Sequence, residues 1–290
     1  MKAYLNGKII PENKACVSIF DRGLLYGDGL LDTMRAEDGA VLFLPEHLKR
    51  LKKGAKALGI PIKAFKAFDE DIKAGVIEKL LKANGLNKGA AYIRITVTRG
   101  VDKSGYMPQK DPVPTFIIAC KPVDLEHVLK LQKNGVKAVI IKGYGPPIPS
   151  IKTLNYLPSV LGKAEAIKKG AYEGIFTDND TSVREGTASN IFIVKNGKLM
   201  TPMLKERLSS EGILPGIMRG VILWLAKKNK LDAEETKLYV EDLLMCEEAF
   251  LTNSISEIVP VTKINGSVIG TGKRGPITRL LQDALKDFKQ

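Results

Sequence analysis

The sequence predicts an α+β fold in two domains, on three observations. Strand patterns outnumber helical ones in both halves of the 290-residue chain. They do not alternate regularly with helices, as a doubly wound sheet requires. A polar stretch opened by Pro122, residues 122–134, separates segments of domain size, 1–121 and 135–290.

The elements follow in order. Asn6-Gly7 is a hairpin dipeptide, so residues 2–10 read as strand, turn and strand. Asp38-Gly39 turns a second hairpin, ending in the apolar run Ala40–Leu44. Pro45 suits the first turn of a helix reaching about Leu58. Apolar spacing predicts a helix from Asp69 to Ala83 and strands at 91–98 and 114–120. In the second half Val136–Lys142 reads as a strand. Gly143–Ser150 carries three prolines and reads as neither helix nor central strand. A helix is expected over Leu157–Lys169, then strands near 173–177, 182–184 and 190–195, with Asn196-Gly197 turning into Lys198–Thr201. Helices at 216–229 and 274–287 flank strands at 247–252 and 257–263.

Composition excludes several classes of function. The formal net charge of +13 raises the question of nucleic acid. The lysines are spread along the chain, however, and no basic motif interleaved with aromatics is present, so a solvated basic surface is the better reading. Cys16, Cys120 and Cys246 form no C-x-x-C pair, and the two histidines are His47 and His127. Neither a disulfide framework nor a metal site is expected, and a Ser-His-Asp arrangement is disfavoured. No apolar run approaches the roughly 20 residues needed to span a bilayer. Residues 1–14 lack a signal-type stretch, which points to the cytoplasm.

Three segments of the second half carry chemistry when taken together. They are Ser150-Ile151-Lys152-Thr153-Leu154-Asn155-Tyr156, then Val183-Arg184-Glu185-Gly186-Thr187-Ala188-Ser189-Asn190, then Gly212-Ile213-Leu214-Pro215-Gly216-Ile217-Met218-Arg219. Alone, each is ordinary: a lone lysine is usually a surface lysine. Lys152, however, follows a Pro-rich loop and precedes a helix, where a side chain can be aimed into a cleft. A helix starting at Gly216 offers free N–H groups to a phosphate. Asn253-Ser254 at a strand end adds further donors, and Arg50 adds a guanidinium fork.

With Phe20-Asp21-Arg22-Gly23-Leu24-Leu25-Tyr26-Gly27-Asp28-Gly29, Glu46-His47-Leu48-Lys49-Arg50-Leu51 and Ser256-Glu257-Ile258-Val259-Pro260-Val261, these segments resemble the class IV aminotransferases over almost the whole length. That family depends on pyridoxal 5′-phosphate (PLP) and includes branched-chain aminotransferase, D-amino-acid aminotransferase and aminodeoxychorismate lyase. The resemblance implies a fold type IV enzyme with a small N-terminal α/β domain and a larger, mixed, β-barrel-like C-terminal domain. It also implies a homodimer, with the active site between domains and beside the dimer interface.

Residue by residue, it implies that Lys152 is the Schiff-base lysine and general base. Glu185 meets the pyridine nitrogen and Tyr156 the ring hydroxyl. Leu214 packs on the ring, while Arg50, Asn253, Ser254 and the amides of Ile217 and Met218 hold the phosphate. Many relatives have threonine where Met218 stands, so a hydroxyl contact is lost here. Leu31, Arg35, Tyr92, Arg94 and Arg99 are the substrate-facing candidates, with Lys103 and Arg184 as further cations. Tyr92-Ile93-Arg94 and Tyr156 resemble the branched-chain enzymes, whereas Ser189-Asn190 resembles the D-amino-acid and lyase branches. Ser104-Gly105-Tyr106 replaces the carboxylate trap of the bacillar D-enzymes. The expected activity is a ping-pong transaminase acting on branched-chain or varied amino acids. The alternatives are a D-amino-acid or (R)-amine transaminase, the lyase, or a binding protein that has lost the chemistry.

Overall fold

The computed structural model describes residues 1–142, 145–205 and 212–289. The chain divides into two compact units, Met1–Leu125 with Ile151–Asn155, and Glu126–Ser150 with Tyr156–Gln290.

The first unit begins with β1 (Lys2–Leu5) and β2 (Lys8–Pro11), joined at Asn6-Gly7 with φ of 45° and 88°. Two positive φ values are what a tight hairpin turn of matching twist demands. A short helix α1 (Arg22–Tyr26) follows, capped by Asp21, whose Oδ1 accepts from Gly23 N at 2.8 Å. β3 (Gly29–Glu37) turns through Asp38-Gly39 into β4 (Ala40–Val41), as the sequence predicts. Next come α2 (Leu44–Ala57), α3 (Phe65–Lys73), α4 (Val76–Ala83), β5 (Ala90–Thr98) and β6 (Thr115–Pro122). The single helix expected over 69–83 is two, because the chain turns left-handed at Gly75, with φ +75°.

Among the described residues this unit has a six-stranded antiparallel sheet of order β2-β1-β6-β5-β3-β4. Side chains alternate along a strand, so register decides which residues share a face. Leu30, Asp32 and Met34 of β3 lie with Ile93, Ile95 and Val97 of β5 on a buried face. Leu31, Thr33 and Arg35 lie with Tyr92, Arg94 and Thr96 on the other.

The second unit opens with α5 (Leu125–Asn134), where the sequence suggests only a polar connection at 122–134. The helix buries Val128, and Gln132 Nε2 donates to the Ser256 carbonyl at 2.9 Å, which docks it onto this unit. β7 (Val136–Lys142) is followed by the Pro-rich stretch, of which Gly143 and Tyr144 lie outside the described residues and 145–150 form neither helix nor strand. The order continues α6 (Leu157–Lys168), β8 (Glu173–Thr177), β9 (Val183–Gly186), β10 (Asn190–Lys195), β11 (Lys198–Pro202) and α7 (Ile217–Lys228). It ends with β12 (Ala233–Thr236), α8 (Val240–Leu244), β13 (Glu248–Asn253), β14 (Glu257–Ile264), β15 (Ser267–Val268) and α9 (Pro276–Lys289). Among the described residues these strands form one mixed sheet, β12-β11-β10-β13-β14-β7-β8-β9, with β15 beside β14. Ile175, Ile191, Ile193, Leu251, Val259 and Ile264 centre its core. Among the described residues, no helix is long and apolar enough to cross a membrane.

Glu248 of β13 fastens α9 to this core. Its Oε1 accepts from Ile277 N at 2.9 Å, and its Oε2 accepts from Thr278 N at 2.8 Å and Thr278 Oγ1 at 2.6 Å. These are the N–H groups that a helix cannot satisfy internally. We expect Glu248→Ala to lower the free energy of unfolding by roughly 2–3 kcal/mol, since buried donors lose a charged acceptor. Urea denaturation of variant and wild type measures this, and a difference under about 0.5 kcal/mol contradicts it.

Candidate active site

Lys152 belongs to the five-residue return of the chain into the first unit. Its placement rests on backbone pairing. Leu30 and Thr153 form an antiparallel bridge, Leu31 N donates to the Lys152 carbonyl at 3.0 Å, and Leu154 N donates to the Gly29 carbonyl at 3.0 Å. Ile151 and Thr153 are buried, and a Cβ on Gly54 of α2 would come 3.2 Å from Ile151 Cγ2. By alternation Lys152, half-buried, takes the opposite face, the one shared by Leu31, Thr33, Arg35, Tyr92 and Arg94.

That face is polar but already partly committed. The Tyr92 hydroxyl lies 3.4 Å from Thr33 Oγ1, and Lys121 sits 5.0 Å from the Tyr92 ring centroid. Arg94 Nε donates to Thr96 Oγ1 at 3.4 Å, and Arg35 Nη2 pairs with Glu37 at 2.7 Å. Arg99 is fully engaged elsewhere: it bonds Asp28 at 2.7 Å and the carbonyls of Leu58 and Gly59 at 2.7 and 3.1 Å. These bonds make it a structural strut. Lys103 lies over the Phe20 ring at 4.7 Å.

Arg50 projects from α2 to Asp32 of β3. Its Nε and Nη2 donate to the two Asp32 oxygens at 2.9 and 2.8 Å, and His47 Nδ1 donates to Asp32 Oδ1 at 2.6 Å. Burial pushes the Asp32 carboxyl up, but the His47 hydrogen bond and the Arg50 charge outweigh it and hold it down to about 2. Asp32 thus presets the guanidinium of Arg50. Neither Asp32 nor His47 is among the site residues expected from sequence, although Asp32 is the one charged side chain inside the apolar run Leu30–Met34.

In the second unit Glu185 closes β9 and is buried. Its Oε2 accepts from Leu214 N at 2.9 Å and Asn190 Nδ2 at 3.3 Å, and the same Nδ2 donates to the Leu214 carbonyl at 3.0 Å. Asn190 therefore ties Glu185 to the loop entering α7, a role its place in the motif alone did not reveal. Gly216, the cap of α7, is required here, because a Cβ would stand 2.0 Å from Asn190 Oδ1. No side chain caps α7, so the amides of Ile217 and Met218 have no partner within the helix. Met218 itself is buried, which accounts for its side chain as core packing and leaves only its N–H to offer.

Asn253 and Ser254 lie at the same sheet end, since Thr252 pairs with Asn190. Asn253 Oδ1 accepts from Ile255 N at 2.9 Å and Ser256 N at 2.7 Å, which shapes the turn. Tyr156 precedes α6 and accepts from Val160 N through its carbonyl at 2.9 Å. Arg184 points away from Glu185 on the strand, bonding the Gly212 carbonyl at 3.2 Å and lining a separate cavity of about 600 Å³ with Asp178 and Lys237. The second unit thus gathers Glu185, Asn190, Leu214, Ile217, Met218, Asn253 and Ser254. A buried carboxylate beside an open helix N-terminus fits a cationic ring nitrogen and a phosphate, the two ends of PLP.

The pattern of the amino-transferase class IV family matches residues 29–264. A Methanocaldococcus jannaschii protein provisionally named a branched-chain-amino-acid aminotransferase is 42% identical over 293 residues, covering 100% of this chain and 96% of its own. The D-alanine aminotransferase of Staphylococcus haemolyticus is 32% identical, covering 99% and 97%. The branched-chain amino acid aminotransferase of Escherichia coli superposes with a TM-score of 0.86 at 30% identity, covering 99% and 93%.

Asp32 also yields a pH dependence. Its carboxyl is depressed in the folded protein, to about 2, from roughly 3.9 when unfolded. The unfolded state therefore binds the proton first as pH falls, so the stability from Asp32 is complete above about pH 5 and is lost toward pH 2. We expect Asp32→Asn to cost roughly 2 kcal/mol at pH 7, with the gap to wild type narrowing between about pH 5 and 3. Guanidinium titrations across that range test this, and a gap independent of pH removes the ionised pair from the account.

Proposed function

The chain belongs to the class IV aminotransferase family, and on that premise we propose that it transfers the amino group of L-branched-chain and related amino acids to 2-keto acids, with Lys152 as the reactive amine. The observation that carries this reading is the strand register that groups Lys152 with Leu31, Thr33, Tyr92 and Arg94. A polar face that carries Leu31 and Tyr92 beside Arg35 and Arg94 offers contact for an aliphatic side chain and cations for a carboxylate. The relatives named above for branched-chain amino acids support it.

Members of the family depend on PLP, which supplies an electron sink for charge released at the substrate Cα. In the proposed site Lys152 Nζ would hold the cofactor and, as a free amine, would serve as the base toward the substrate Cα. Glu185, whose carboxylate accepts from Leu214 N–H and Asn190, would meet the ring nitrogen, Tyr156 the ring hydroxyl and Leu214 the ring face. In the first unit Arg50, preset by Asp32, would offer its guanidinium to a phosphate, and in the second Asn253, Ser254 and the amides of Ile217 and Met218 would offer their donors. Arg35 and Arg94 are the cations assigned to substrate, and Arg99 is not.

The enzyme is further proposed to be a cytoplasmic homodimer. Phe20, Leu24, Leu25 and Tyr26 are exposed in the first unit, as are Tyr106 and Met107, and the Tyr26 and Tyr106 rings meet at a tilt with centroids 5.5 Å apart. Such an apolar surface suits burial against a second copy. Cys16, Cys120 and Cys246 are free thiols, which suits a reducing compartment.

Two measurements test the reading. Borohydride reduction and peptide mapping should tag Lys152 in the wild type, and Lys152→Ala should purify colourless and without transaminase activity; a tag on another lysine overturns the assignment. With 4-methyl-2-oxopentanoate as acceptor, L-glutamate should outperform D-glutamate by at least about 100-fold, a difference near 3 kcal/mol in the transition state. Faster turnover with the D-donor selects the D-amino-acid branch, toward which Ser189-Asn190 leans.

A further inference from the structure

A second buried carboxylate stands beside the turn that follows Glu185. Glu173 opens β8 and is 2% exposed. Its Oε1 accepts from Gly174 N at 3.0 Å and from the Thr187 hydroxyl, and its Oε2 accepts from Ser189 Oγ at 3.0 Å. Lys163 Nζ, which donates to the Tyr172 carbonyl, lies 3.9 Å from Oε1. Thr187 N also donates to the Gly174 carbonyl at 2.9 Å, and Gly186 N to the Ser189 carbonyl at 2.7 Å.

Thr187 and Ser189 belong to the turn between β9 and β10, which is flanked by Gly186 and Asn190, with Glu185 one residue before Gly186. One carboxylate on β8 therefore grips both hydroxyls of the turn. The grip leaves no slack at Gly186, where a Cβ would meet Ser189 Oγ at 2.2 Å and Glu173 Cγ at 3.2 Å. A buried charge is costly unless every oxygen is served, and here the donors that serve it all belong to β8 or to this turn. Strand pairing does not require this arrangement, since β9 pairs with β8, and β10 with β11 and β13.

We propose that Glu173 is a positioning residue: through Thr187 and Ser189 it fixes the turn, and through the turn it sets the orientation of Glu185 and Asn190 toward the cofactor. This rests on the role given to Glu185 above. Charge-assisted hydrogen bonds to hydroxyls are directional, so loss of one lets the turn rotate and the Glu185 carboxylate drift from its target.

Thr187→Val removes one donor while keeping the β-branched shape, and it spares Glu173, whose replacement endangers folding. The readouts are PLP affinity of the apoenzyme by absorbance titration, the pH midpoint of the bound cofactor's visible band, kcat and KM, and the apo melting temperature, each measured in the wild type and in a Glu185→Gln background. We expect Thr187→Val to weaken PLP binding at least about fivefold, shift the pH midpoint, and lower kcat about tenfold with KM little changed, while the apo protein melts within about 5 °C of wild type. In the Glu185→Gln background the same change should have under about a twofold effect, and Thr187→Ser should restore the wild-type values. Equal effects in both backgrounds, or no effect on affinity and band, overturn the positioning role and leave Glu185 intact. A Glu185→Gln protein with wild-type affinity, band and rates overturns the Glu185 reading itself, and this proposal with it.

Discussion

The structure of the first unit turns on two peptide hydrogen bonds, Leu31 N to the Lys152 carbonyl and Leu154 N to the Gly29 carbonyl. They make residues 151–154 a short partner of β3 and so decide which way each side chain of that segment points. Ile151 and Thr153 are committed to the packed face, which leaves Lys152 no place but the polar one. A desolvated lysine on a loose loop would find water or a carboxylate; one pinned by its own backbone keeps its aim.

The second unit solves a different problem, that of keeping an anion buried and oriented. Glu185, Asn190 and Leu214 are joined by three hydrogen bonds, and Gly216 leaves room for Asn190. Asn190 is the hinge of this set, because one amide nitrogen reaches both the carboxylate and the loop carbonyl. Asp32 with Arg50 and His47 repeats the idea in the first unit. In both places directional donors converge on a carboxylate, which favours one geometry over many.

Much of this was legible from the sequence. Asn6-Gly7, Asp38-Gly39 and Asn196-Gly197 are turns because asparagine, aspartate and glycine tolerate the positive φ those hairpins need. Asn265-Gly266 carries the same signal and went unread, so β15 was missed. The helix α5 hid because it buries little beyond Val128 and its polar residues mimic a linker. The motif around Glu185 was readable as a family resemblance, since its residues adjoin in sequence. Partners distant in sequence were not: Glu173 meets Thr187 and Ser189 only through strand pairing, and Asp32 meets Arg50 only once α2 packs on β3. Both acids adjoin apolar residues bound for the core, Asp32 inside the run Leu30–Met34 and Glu173 just before Gly174-Ile175-Phe176, where a charge is costly without donors.

Backbone pairing has a consequence for how such a protein changes over generations. A peptide hydrogen bond does not depend on side-chain identity, so the backbone of Lys152 keeps its station when Leu31, Thr33, Tyr92 or Arg94 is exchanged. On the proposed reading those positions can vary as a panel while the segment beside β3 stays fixed. Relatives at 42% and 32% identity carry names for branched-chain and D-alanine chemistry, the spread that such a division of labour permits.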